Sequence, residues 1–223
     1  MAWTQTNAQT AVFGSGSVAS WNDTAFANPL TLGSIILVVL DVAGASGTLS
    51  VTDTAGNVYV DCGVGRIVYS TSGNGFQVFY ALNGLSTVSN VVTGHSTVNV
   101  TFPSIGAYEY TGQQSGNPLD SFAGSVTNAT TSGTGSDNIF TAAATPRGNG
   151  DLIFCFSSFN SGTVTAGTNF SGDRLTNPAA EHLVQSVAAN IAGTFSNNTN
   201  AVPYAAIVLA LFQQTSILML GHT

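Results

Sequence analysis

The run Ser34–Val42, SIILVVLDV, restricts the fold of this chain more than any other stretch. It is continuously apolar, rich in β-branched residues, bounded by Gly33 and Gly44, and too short for an ordinary helix. It reads as a central strand covered on both faces. Phe76–Leu82, Ser96–Phe102, Ile105–Thr111, Asp151–Phe159 and Tyr204–Phe212 also read as strands, and Val98, Val100 and Phe102 point one way. Ser72–Gly75, Asn83-Gly84 and Pro146–Gly150 are turn signals between them. Glu181–Val187 and Ala192–Ser196 add two shorter strands, and Gln113–Thr134 reads as a long loop with one short strand near Ser121–Val126. Heptads and capped helical periodicity are missing. The expected class is all-β, a two-sheet antiparallel β-sandwich with jelly-roll-like or Greek-key wiring. Residues 1–212 form its single domain and 213–223 an apolar C-terminal tail.

Leu49–Asp61, LSVTDTAGNVYVD, reads as strand, turn, strand. Asp53 is placed to accept hydrogen bonds from the turn amides, and Gly56 to take a positive φ, so that the second arm folds back as a hairpin. Asp53, Asn57 and Asp61 also offer oxygens to Ca²⁺, but the stretch lacks the alternating carboxylates of a calcium loop, and turn capping is the favoured role. A fainter pattern spans the chain. Gly33-Ser34-Ile35-Ile36 precedes FQVFYAL, VNVTF and IGAYEY, and Gly150-Asp151-Leu152-Ile153 precedes EHLVQSV, AGTFS and AAIVLALF in the same order with different spacings.

Composition narrows the function classes. The chain is 43% hydrophobic and only 6% charged, with net charge −7, against about 25% charged in a typical domain. Its only cations are Arg66, Arg147 and Arg174, so there is no basic patch for nucleic acid or anionic lipid. An uncharged polar surface suits an extracellular protein, and suits close packing of copies, because little charge must be desolvated. The first residues, MAWTQTNAQTAVFG, do not read as a secretory signal. A virion component released by lysis reaches the outside without one. The most apolar window, Ala201–Leu220, is interrupted by Pro203 and Gln213-Gln214, so no membrane span is expected.

GSIILVVLDV, VTDTAGNVYV, FQVFYAL, STVNVTF, IGAYEYTG and GDLIFCF, in that order, resemble a recurring module of bacterial secreted and surface proteins and some phage-associated ones. Asp53, Gly56, Asn57 and Tyr59 are its most specific element, and the likeness covers roughly residues 30 to 212. The resemblance implies an extracellular β-sandwich and brings no catalytic residues with it. The tail and the absence of Lys depart from the pattern.

Chemistry-bearing constellations are sparse. Glu109 and Glu181, the only glutamates, would make a retaining glycosidase if they faced each other about 5 Å apart. No Ser nucleophile elbow, phosphate-binding Gly loop or metal spacing occurs, and no cofactor is expected. Cys62 and Cys155 are either one disulfide or two buried thiols. Tyr59, Tyr69, Tyr80, Tyr108 and Tyr110 would form a glycan platform if several shared an outward face. Ile217, Leu218, Met219 and Leu220 form an apolar stretch suited to strand addition between subunits. The expectation is a non-catalytic, self-associating structural subunit of a surface filament or virion. The alternatives are a carbohydrate-binding or adhesion module, and a glycosidase.

Overall fold

A computed structural model describes residues 2–9, 16–23, 25–44, 47–69, 73–82, 85–113, 116–127, 138–159, 163–197 and 204–213. Sixteen strands and no helix occur among them. The first half contains β1 (Thr4–Ala8), β2 (Ser17–Asn22), β3 (Ile35–Ala43), β4 (Leu49–Asp53), β5 (Val60–Asp61), β6 (Ile67–Val68), β7 (Gly75–Leu82) and β8 (Val92–Thr111). Its inner sheet runs β1-β8-β3-β7-β5, with β6 also on β7. β8 serves two layers. Its second half pairs with β1 and β3, and its first half pairs with β2 and β4. Ser96–Phe102 and Ile105–Thr111 are therefore one bent strand, with the corner at Phe102, where φ is +47°.

The second half repeats the wiring. It contains β9 (Leu119–Thr127), β10 (Asn138–Phe140), β11 (Leu152–Phe159), β12 (Val164–Thr165), β13 (Ser171–Arg174), β14 (Ala179–Val184), β15 (Thr194–Asn197) and β16 (Tyr204–Leu211). Its inner sheet runs β13-β14-β11-β16-β9 and its outer sheet β10-β15-β12. Strand for strand, β9 stands where β1 does, β11 where β3 does, β14 where β7 does, and β15 and β16 where the two halves of β8 do. All pairings are antiparallel. Each half is thus wired as a jelly roll, and the faint sequence pattern reflects a duplicated topology. β9 is a nine-residue strand, longer than the short strand expected near Ser121–Val126. Its pairing with β16 organises a stretch whose polar composition reads as loop.

The two inner sheets pack face to face. Ile35, Leu37, Val39, Phe76 and Tyr108 of the first half meet Phe154, Phe156, Ile207 and Leu209 of the second. The Phe76 and Phe156 ring centroids lie 4.8 Å apart, edge to face. Each half has a further core beneath its outer strands. Ile36, Val38, Leu40 and Trp21 lie in the first, and Ile153, Cys155, Val208 and Phe195 in the second. β3 is accordingly buried on both faces, which is why its sequence does not alternate. The β1 edge lies against β13, where Gln5 Nε2 donates to Asp173 Oδ1 at 2.8 Å, and β6 lies against β9 and β16. A half-turn about an axis along the strands would place the edges in this way.

Candidate functional sites

The Asp53 turn is capped as expected but is not a hairpin. Asp53 Oδ1 accepts from the Asn57 amide at 2.9 Å. Asp53 Oδ2 accepts from Asn57 Nδ2 at 2.6 Å, the Tyr59 hydroxyl at 2.9 Å and Asn90 Nδ2 at 3.1 Å. Gly56 has φ +83°, as the turn requires. The arms then part: β4 pairs with β8, and β5 pairs with β7. The turn carries the chain from the outer layer to the inner one. Asp61 is filled separately, by the Gly63 amide at 2.5 Å, the Gly65 amide at 3.3 Å and Gln77 Nε2. Asp53, Asn57 and Asp61 thus spend their oxygens on protein donors in two different turns, and do not assemble a calcium site. No cluster of three or more His, Cys, Asp or Glu side chains suited to a metal occurs among the described residues.

Glu109 and Glu181 do not face each other. Glu109 lies opposite Ile36, on the outward face of the first inner sheet, and Glu181 opposite Cys155, on the outward face of the second. The whole central core separates them. Each is fully buried and ties loops to its own sheet. Glu109 accepts from the Thr31 amide at 2.6 Å, Asn7 Nδ2 at 2.5 Å and the Thr6 hydroxyl at 2.7 Å. Glu181 accepts from the Gly167 amide at 2.6 Å and the Thr194 amide at 3.2 Å. Burial pushes the Glu181 carboxyl up to about 7, against the pull of these two amides. The paired-carboxylate arrangement of a glycosidase is therefore absent for these two residues.

The tyrosines do not share an outward face either. Tyr108 and Tyr110 are fully buried between the sheets. The Tyr110 hydroxyl donates to Asp173 Oδ2 at 2.9 Å, and Asp173 Oδ1 lies 2.7 Å from His182 Nδ1, so this group clasps the two halves along one edge. Tyr59 is tied to Asp53, Tyr69 is buried, and Tyr80 is half-buried. Cys62 and Cys155 are free thiols. Cys62 lies in the central core and Cys155 behind β11 in the second outer core, so a sheet stands between them and no disulfide forms. Burial pushes the Cys62 thiol up to about 11. Ile217, Leu218, Met219 and Leu220 lie outside the described residues.

Two features were not legible in the sequence. The first is a pocket of about 270 Å³ where the two halves meet, at the ends of β3 and β11. Asp41, Tyr69 and Asn74 line it from the first half, and Phe159 and Asn177 from the second. Phe102, at the β8 corner, stands on its rim and is 70% exposed. A bulky residue at positive φ stores about 1–3 kcal/mol of strain. Asp41 Oδ2 accepts from the Ser158 hydroxyl at 2.8 Å, and the Ser158 oxygen lies 3.2 Å from that of Tyr69. Burial pushes the Asp41 carboxyl up to about 7, opposed by the Ser158 hydrogen bond and the Arg66 charge.

The second feature lies at the opposite end of β3. Leu32, Val58, Leu85 and Val88 are exposed there, Val58 by 79% and Leu32 by 73%. Three loops carry them, and hydrogen bonds fix the loops together. The Leu85 amide donates to Asn57 Oδ1 at 2.7 Å, and the Leu30 amide to the Thr87 carbonyl at 2.9 Å. No family model, curated protein or solved structure matches the chain.

Proposed function

We propose that this chain is a non-catalytic, self-associating structural subunit of an extracellular assembly, a surface filament or a virion. The observation that carries this reading is the group of exposed aliphatic side chains, Leu32, Val58, Leu85 and Val88, on loops bonded into one end of the first half. Exposed apolar side chains gathered on ordered loops mark contact surfaces. A second copy of this chain is the partner that fits, because 6% charged residues leave little charge to desolvate on either side. The buried carboxylates support the non-catalytic part of the reading, since Glu109 and Glu181 each satisfy main-chain amides. All three arginines bond to their own chain: Arg66 to the Gly73 carbonyl, Arg147 to Asp120, and Arg174 to the Thr176 and Asn177 carbonyls. That favours a protein partner over a nucleic acid. The outside setting rests on the low charge and on the resemblance carried by Asp53, Gly56, Asn57 and Tyr59.

Light scattering after size exclusion, with negative-stain imaging, tests the proposal. Val58→Ser combined with Val88→Ser shifts the wild-type assembly toward monomer. Removal of residues 215–223 tests the apolar tail as a second contact. A wild-type chain that stays monomeric at high concentration, or an assembly unchanged by both alterations, overturns the reading.

A further inference from the structure

The seam pocket has the chemistry of a small-ligand site. Its volume, about 270 Å³, falls just below the usual range for drug-sized ligands, about 300–1,000 Å³, and suits a single six-membered ring. Its polar lining is one carboxyl, Asp41, one phenol, Tyr69, and two amides, Asn74 and Asn177, contributed by both halves of the chain. The Asp41 carboxyl is held by the Ser158 hydroxyl, and among the described residues no Lys or Arg side chain lines the pocket. The remaining lining groups are neutral. At the rim, Phe102 presents an exposed aromatic ring from a backbone conformation that L-residues with large side chains rarely adopt. Such outliers persist where the surrounding structure holds them, and they gather at ligand sites.

We propose that this pocket binds one neutral sugar ring, with Asp41, Asn74 and Asn177 directed to its hydroxyls and the Phe102 ring against its C–H face. Asp41 Oδ2 and Asn177 Oδ1 already accept from the Ser158 hydroxyl and the Phe159 amide, and a carboxyl or amide so held still offers a sugar hydroxyl its other polar atom or a second lone pair, in a fixed position. The aromatic ring supplies the apolar contact. This site goes beyond the assembly reading and uses none of its residues, since it lies at the other end of β3. Either proposal can therefore fail alone.

Saturation-transfer NMR on the full chain tests it, using free glucose, galactose, mannose, fucose and N-acetylglucosamine together with their methyl glycosides. At least one sugar receives saturation, and Phe102→Gly weakens its binding about tenfold. Asp41→Asn, which keeps the side-chain shape, weakens the same sugar, and urea denaturation confirms that both variants fold. Methyl glycosides that bind as well as free sugars assign the pocket to the chain end of a glycan. Binding of the reducing sugars alone assigns it to soluble saccharide, and both results support the site. Absence of transfer to every sugar tested, or transfer that survives both substitutions, overturns it.

Discussion

The Asp41 carboxylate, at the end of β3, accepts a 2.8 Å hydrogen bond from the Ser158 hydroxyl, at the end of β11. These are equivalent strands of the two halves, and the bond crosses the seam between them. The central core is apolar for most of its length, from Ile35 and Leu152 through Val39 and Phe156. At Asp41 and Ser158 it becomes polar and opens into the pocket. A carboxyl in this place makes stability depend on pH, because its charged form is poorly solvated there.

Asp41 binds its proton more tightly in the folded chain, at about 7, than in the unfolded chain, near 3.8. Its contribution to stability is complete below 3.8, declines as pH rises through the window, and is gone above about 7. Glu181, raised from 4.5 to about 7, acts in the same direction. Each group lowers stability by at most about 1.4 kcal/mol per pH unit within its window. Urea midpoints measured across that range fall with rising pH in the wild type and fall less steeply in Asp41→Asn. Equal slopes would falsify the assignment to Asp41.

Glu109→Gln turns one acceptor oxygen into a donor facing either the Thr31 amide or Asn7 Nδ2, and both of those groups can only donate. The expected loss is about 2–3 kcal/mol, because a buried hydrogen bond to a charged group is removed and a donor is left unpaired. Urea denaturation reads this as a lower midpoint with an unchanged m-value. A midpoint equal to that of the wild type shows that the carboxylate does not hold these loops.

Both thiols are buried and unpaired. In the native chain neither reacts with a thiol-specific chromogenic disulfide, and in denaturant both do, giving two equivalents without added reductant. Denatured protein that releases no chromophore until a reductant is added shows a disulfide instead.

Gly94 in β8 lies beneath the Trp21 ring. A Cβ there would sit 2.7 Å from Trp21 Cε2 and 2.8 Å from Leu40 Cδ2. Gly94→Ala overpacks the first outer core, with an expected cost of about 1–3 kcal/mol. Displacement of the indole changes the tryptophan emission maximum of the native state. Wild-type emission together with wild-type stability places the indole elsewhere.

The long strands were legible because their signal is local, whereas β2, β12 and β13 were not read as strands. The unbroken apolar run of β3 announces cover on both faces. The spacing of Val98, Val100 and Phe102 misled, since only Val100 is buried while Val98 and Phe102 are exposed, and the register of β8 against β2 shifts between His95 and Val100. The Asp53 cap was legible because its donors Asn57 and Tyr59 lie within six residues of it; its further donor, Asn90, was not. Local reading failed where pairing is long-range. Leu49–Asp53 and Val60–Asp61 look like the arms of a hairpin, yet they take partners from β8 and β7 in different layers. A strand's own residues state which of its faces is apolar but not which edge it will join, because main-chain hydrogen bonds are the same for every partner. The separation of Glu109 from Glu181, the isolation of Cys62 from Cys155 and the pocket at Asp41 follow from those pairings. The sequence by itself determined that the chain is built of buried strands and capped turns. Only the tertiary structure decided that two jelly rolls share one core, and hence which distant side chains meet at their seam.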